Sequence, residues 1–141
     1  MAKDILLHIL KTIRYRTLAS ISGAAENFGD YKISPQTRSP KEIINHMSDL
    51  ARKANSIIRS TNFEAERPPL PKFEEELGEF LKCLEQLNET VVLHTLSDEL
   101  GKKLIQGPLS DMLTHIGQLA MLNGLNGNKI PKQNYFSADM R

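Results

Sequence analysis

The chain has 141 residues, 40% hydrophobic and 25% charged, with 18 Lys and Arg against 17 Asp and Glu for a net charge of +1. That composition sits near the average of soluble globular proteins and argues against fibres, disorder and a disulfide-stapled miniprotein. The charge balance, with basic residues scattered along the chain, leaves no excess to neutralise a run of phosphates, so no nucleic-acid partner is expected.

A chain of this length buries about two thirds of the surface its unfolded form exposes, so a single domain over residues 1–141 with one core is expected. The single cysteine, Cys83, cannot form an intramolecular disulfide, and no secretory pattern opens the chain, which together predict a reducing, cytoplasmic setting. No stretch approaches the roughly 18 consecutive apolar residues of a membrane span, so no membrane partner is expected.

Residues 3 to about 27 place Ile5, Ile9, Ile13, Leu18 and Ile21 at helical spacing and predict the first helix. Residues 28–38 carry turn formers and no period. Ser39-Pro40-Lys41-Glu42 is a complete helix-start signal: a capping serine, a proline where a missing N–H costs nothing, and a glutamate able to close a capping box. The second helix then runs to about Arg59 on a stripe of Ile43, Met47, Leu50, Ala54 and Ile57, widened by Ile44 and Ile58, with His46 beside it.

Residues 60–72 hold Pro68, Pro69 and Pro71 and predict a stiff extended connection. In the third helix Phe73, Leu77, Phe80, Leu84, Leu87 and Val91 form the clearest amphipathic stripe, with Glu74, Glu75, Glu76, Glu79, Lys82 and Glu85 expected on the wet side. Between residues 93 and 107 only a short turn before Gly101 is predicted. A fourth helix is expected from near Pro108 to Gly124 or Gly127, apolar on both sides through Met112, Ile116 and Leu119 and through Met121, Leu122 and Leu125. It is therefore expected to be buried nearly all round, which implies a second interface. The tail from residue 128 is expected to pack as an irregular arm. No strand pattern emerges, and the fold class predicted is all-α, four helices around one core.

The chemistry concentrates in the last helix. Asp111, His115 and Gln118, spaced by four and three, share one helical face. Facing helices of a bundle build metal sites from such positions, and His46 on helix two is the natural third ligand beside Asp111 and His115. Two imidazoles and a carboxylate leave open coordination positions and suit zinc, nickel, manganese or ferrous iron, with Gln118 adding an oxygen or holding a water. The structural alternative for the same spacing is a buried histidine bonded to an aspartate one turn away. His8 and His94 lack comparable partners, and Cys83, between Phe80 and Leu84, reads as core packing.

Three segments resemble bacterial DinB-like (DinB/YfiT) proteins: Ser39-Pro40-Lys41-Glu42-Ile43-Ile44-Asn45-His46, the run from Gly107-Pro108 to Gln118-Leu119, and Asn134-Tyr135-Phe136-Ser137-Ala138-Asp139. The resemblance implies a four-helix bundle with a long crossover between helices two and three, matched by residues 60–72, and a homodimer. It also implies a three-histidine zinc or nickel site, in which His46 matches the first ligand and His115 the last. Asp111 stands where the family has a histidine, and Ile116 where an arginine is common. Characterised members of the family include metal-dependent transferases and isomerases using small thiols. The resemblance thus implies a metal-dependent thiol transferase or hydrolase acting on a small-molecule substrate. A second reading of the same chain is a non-catalytic helical bundle, dimerising through helix four or the tail, that binds a partner or small apolar ligand under stress.

Overall fold

Two rows of aliphatic residues run side by side along the first helix, and the tertiary structure buries the row that the periodicity count passed over. In the computed structural model, which describes residues 2–63 and 67–140, helix α1 spans Ala2–Ser20. Its buried row is Leu6, Leu10, Ile13, Thr17 and Ser20, whereas Ile5 is 57% exposed. The two rows share Ile13 and both recur near the helical period, so spacing alone does not separate them. The buried row passes through two polar residues because the Thr17 and Ser20 hydroxyls donate to the carbonyls of Ile13 and Thr17, each at 2.7 Å, which satisfies them away from water.

The first helix also stops at Ser20, about two turns short of the expected end near residue 27. The Asn123 side-chain amide donates to the carbonyls of Ser20 and Ser22 at 3.1 and 3.3 Å, and that of Asn128 to Ser22 at 2.8 Å. These bonds occupy carbonyls that a helix end leaves without partners. Gly23, at φ +68°, then turns the chain through the left-handed region that a Cβ would strain.

Helix α2 (Pro40–Arg59) starts at the predicted capping box. The Ser39 hydroxyl accepts from the Glu42 amide at 3.3 Å, and the Glu42 carboxylate accepts from the Ser39 amide at 3.0 Å. Its core face is Ile43, Ile44, Met47, Leu50, Ala51, Ala54 and Ile58; Ile57, expected in the stripe, is 51% exposed. Helix α2 also buries Asn45, Ser48 and Asp49, and Asn45 bonds across to Glu76 of the third helix. Of the proline-rich connection, residues 64–66 lie outside the described residues, and residues 61–63 and 67–70 are irregular.

Helix α3 (Phe73–Leu93) buries Phe80, Cys83, Leu84, Leu87 and Val91 as its pattern predicts. Glu76 is the exception: expected on the wet side, it is fully buried. Its carboxylate accepts from Asn45 Nδ2 at 2.9 Å, from the Leu70 amide at 3.0 Å and from Arg67 at 2.8 Å. An anion excluded from water survives when it is paired and its remaining lone pairs are bonded. The sequence places three glutamates in a row, and only the neighbours decide which one turns inward.

The short turn expected before Gly101 is the start of a longer helix. Helix α4 (Asp98–Leu104), capped by the Ser97 hydroxyl, runs on through a π-type turn over Ile105–Leu109 into α5 (Ser110–Leu125). Pro108 has no N–H to continue the ladder, so the helix widens there, with non-helical Gly107 and with the Ser110 hydroxyl donating to the Ile105 carbonyl. Helix α5 buries Met112, Ile116, Leu119, Leu122 and Asn123. Contrary to expectation it is not buried all round, because Met121 and Leu125 are each 55% exposed. The tail could have covered them but packs elsewhere. Tyr135 meets Tyr15 edge to face at 6.3 Å between centroids, the Arg16 guanidinium lies 4.0 Å over the Tyr135 ring, and Gln133 bonds the Tyr15 hydroxyl.

With α4, the π-type turn and α5 forming one bent rod, the described residues make four helical rods and no strand. Helix α2 packs most closely on α3, α1 on α5 and α3, and α2 on α5. The rods thus close a ring in the order α1, α3, α2, α5 around one apolar cluster, an arrangement compatible with a four-helix bundle. No helix among the described residues is long and apolar enough to cross a membrane.

Candidate functional site

His46 projects from α2 and His115 from α5, and the two imidazoles meet edge to face with ring centroids 5.0 Å apart and planes at 86°. Both are half-buried. Each sits at the margin of its helix's apolar face, three residues after Ile43 on α2 and one before Ile116 on α5, so packing the two faces together brings the margins into contact. Gln118 follows on the next turn, and its side-chain carbonyl lies 2.8 Å from His115 Nδ1. A carbonyl oxygen only accepts, so Nδ1 is the donor in this contact.

Asp111 does not join the pair closely. Four residues advance a helix by 400°, so Asp111 lies about 40° round the axis from His115, and it is exposed. Among the described residues no group of three or more His, Cys, Asp or Glu side chains stands close enough to hold a metal ion. The structure therefore brings two of the three candidate ligands together, together with Gln118, and leaves Asp111 one turn away on the solvent side.

The other candidates separate from this pair. His94 caps the end of α3, its Nδ1 2.9 Å from the Thr90 carbonyl. His8 borders a groove between α1 and the tail, beside Arg16 and Tyr135. Cys83 is buried, and burial first, with the nearby Glu79 carboxylate second, pushes its thiol up to about 11. That suppresses the thiolate a nucleophile needs.

An open cleft of about 420 Å³, lined by Gln118 though by neither histidine, lies toward the start of α2 and the end of α5. Gln118 forms part of its wall, facing residues of the 33–38 loop, Arg38 among them. The sequence carried no signal for this contact, since residues 28–38 have no periodicity that would place the loop against α5. Two grooves of about 560 and 550 Å³ flank α1, one against the tail and one against α3.

Comparison with known proteins returns no matching family model, no similar curated protein and no similar solved structure.

Proposed function

We propose that the chain is a DinB-like four-helix bundle, with residues 60–72 as the crossover between α2 and α3, that binds a divalent transition metal at His46 and His115. The observation that carries this reading is the contact of two imidazoles from different helices, 5.0 Å between centroids. The donor set fits such an ion. Gln118 orients His115 and leaves Nε2 available, the arrangement in which a histidine that ligates through one nitrogen is held through the other. Asp111, one turn before His115 and free to swing its exposed side chain inward, is the third donor. Two imidazoles and one carboxylate suit zinc or nickel and leave positions for water or substrate.

Bound there, the metal supplies Lewis acidity and lowers the pKa of a thiol or water. The reaction class proposed is a metal-dependent transfer or hydrolysis on a small molecule, with a low-molecular-weight thiol as co-substrate in the transfer case, carried out in the cytoplasm. The chain's own part is to hold the two rings at a fixed angle and to offer the adjoining cleft. Elemental analysis of untagged protein reconstituted with zinc and with nickel tests the reading. Stoichiometric metal that is lost in His46→Ala and in His115→Ala is expected, and a metal-free wild type after reconstitution rejects the proposal.

A second reading is a non-catalytic bundle that dimerises through α5 and binds a partner or a small apolar ligand. It is favoured by the exposed Met121 and Leu125, which the tail leaves uncovered. If His46 is only a packing group, His46→Ala lowers the melting temperature without changing metal content. A homodimer is compatible with both readings.

A further inference from the structure

Among the described residues, the side chains around the cleft that Gln118 lines offer hydrogen-bond donors from two amides and a guanidinium. The Gln36 side-chain carbonyl already accepts from the Ser34 hydroxyl at 2.7 Å, and that of Gln118 lies against His115 Nδ1 at 2.8 Å. Each amide is thereby oriented with its NH₂ end unused. Arg38 adds a guanidinium. The lysines of the same region are engaged, Lys32 with Glu42 at 3.3 Å and Lys41 with Asp30 at 3.0 Å, whereas Arg38 makes no ion pair among the described residues. Among the described residues no acidic side chain lines the cleft. Thr37 also lines it, with its hydroxyl donating to the Ser34 carbonyl at 2.9 Å, and the rest of the wall is aliphatic, with Ile43 and Leu122 buried and Ile33 and Met121 exposed. Its volume of about 420 Å³ lies in the range of small-molecule sites.

We propose that this cleft binds a small carboxylate carrying an apolar body, its carboxylate on Arg38 and the amide of Gln36 and its body against Ile33, Met121 and Leu122. A guanidinium receives a carboxylate in a planar fork, which an inorganic anion lacking an apolar body would not supplement with wall contacts. Gln118 belongs both to the cleft and to the His115 contact, so a ligand seated there lies next to the imidazole pair. Its role as substrate rests on the metal centre proposed above, whereas the binding itself does not.

The test is titration of chelator-treated protein with 4-phenylbutyrate, its neutral amide 4-phenylbutanamide and inorganic phosphate, followed by calorimetry and by amide chemical shifts. Saturable binding of the carboxylate is expected, with shifts centred on residues 33–38 and 118–122, at least about tenfold tighter than the amide or phosphate. Arg38→Gln should weaken the carboxylate by at least about tenfold without changing the amide's affinity, and His46→Ala should leave both unchanged. Equal affinity for acid and amide, tighter binding of phosphate, an unaffected Arg38→Gln variant or shifts confined to the grooves along α1 would each overturn the proposal. Carboxylate binding in a protein that takes up no metal would keep the cleft and reject only the metal centre; metal uptake without carboxylate binding would do the reverse.

Discussion

Asn45 Nδ2 donates to Glu76 Oε2 at 2.9 Å across the α2–α3 contact, a bond between two buried side chains one residue away from His46 in sequence. Glu76 also holds Arg67 and the Leu70 amide, so a single carboxylate ties α2, α3 and the end of the proline-rich connection together. Because Asn45 is turned toward α3, the next residue is turned about 100° away, toward α5. Helix α2 thus carries the Asn45–Glu76 bond on one side and the His46–His115 contact on another.

Glu76→Ala is expected to lower unfolding free energy by about 3 kcal/mol in urea titration, because it strands a largely buried guanidinium and the Asn45 amide without partners. Glu76→Gln, which keeps the acceptor and loses the charge, should cost less. A cost within about 0.5 kcal/mol for the alanine variant would show the cluster to be dispensable.

The capping box gives a pH signature. The Ser39 backbone amide, the largest cause, and the Ser39 hydroxyl and Lys32 hold the Glu42 carboxyl below its ordinary value. A depressed carboxyl contributes stability that is present above the ordinary carboxylate pKa and is lost as pH falls through the lower folded value. Glu42→Gln should therefore flatten the acid limb of the stability profile below about pH 5, the region in which an ordinary glutamate begins to take up its proton. Ser39→Ala should cost about 1 kcal/mol at neutral pH.

Gln118→Leu should weaken zinc binding by about 10- to 100-fold relative to wild type, the usual effect of removing the group that orients a ligating histidine. Helix content should not change, since Gln118 is exposed. Zinc affinity unchanged in this variant would separate the Gln118 contact from metal binding.

The thiol of Cys83 should react slowly with iodoacetamide at pH 8. With its pKa near 11, about one thiol in a thousand is ionised at that pH. Unfolding in urea should speed labelling at least about tenfold by restoring the ordinary value near 8.5. Equal rates in the native and unfolded protein would place the thiol in contact with solvent.

Replacing Leu125 with glutamate should shift the sedimentation of the proposed homodimer to that of a monomer while changing stability by no more than about 0.5 kcal/mol, because this side chain is exposed within one chain. Wild-type protein that sediments as a monomer at micromolar concentration would remove the dimer.

Local signals were legible wherever a residue's role is completed within a turn or two of its own helix. The Ser39–Glu42 box, the amphipathic stripe of α3 and the helical spacing of Asp111, His115 and Gln118 all belong to this class, because a helix brings residues three and four apart together wherever it sits. The contact of His46 with His115 follows one step further out. Two helices with histidines at the margins of their apolar faces bring those margins together once the faces pack.

Other features depended on partners distant in the chain. The end of α1 is set by Asn123 and Asn128, more than a hundred residues away. The choice of Leu6 and Leu10 over Ile5, and of Ile58 over Ile57, is a rotation of each helix about its axis, and two adjacent aliphatic rows leave that rotation undetermined until a neighbour buries one of them. The inward turn of Glu76 required Arg67, Asn45 and the Leu70 amide to be waiting for it. The sequence by itself thus determined the all-helical character, the start of α2 and α3, and which side chains could share a helical face. Tertiary structure alone decided the phase of each helix, the burial of a carboxylate and the placement of the 33–38 loop against α5, because each of these depends on the groups that meet it from another part of the chain.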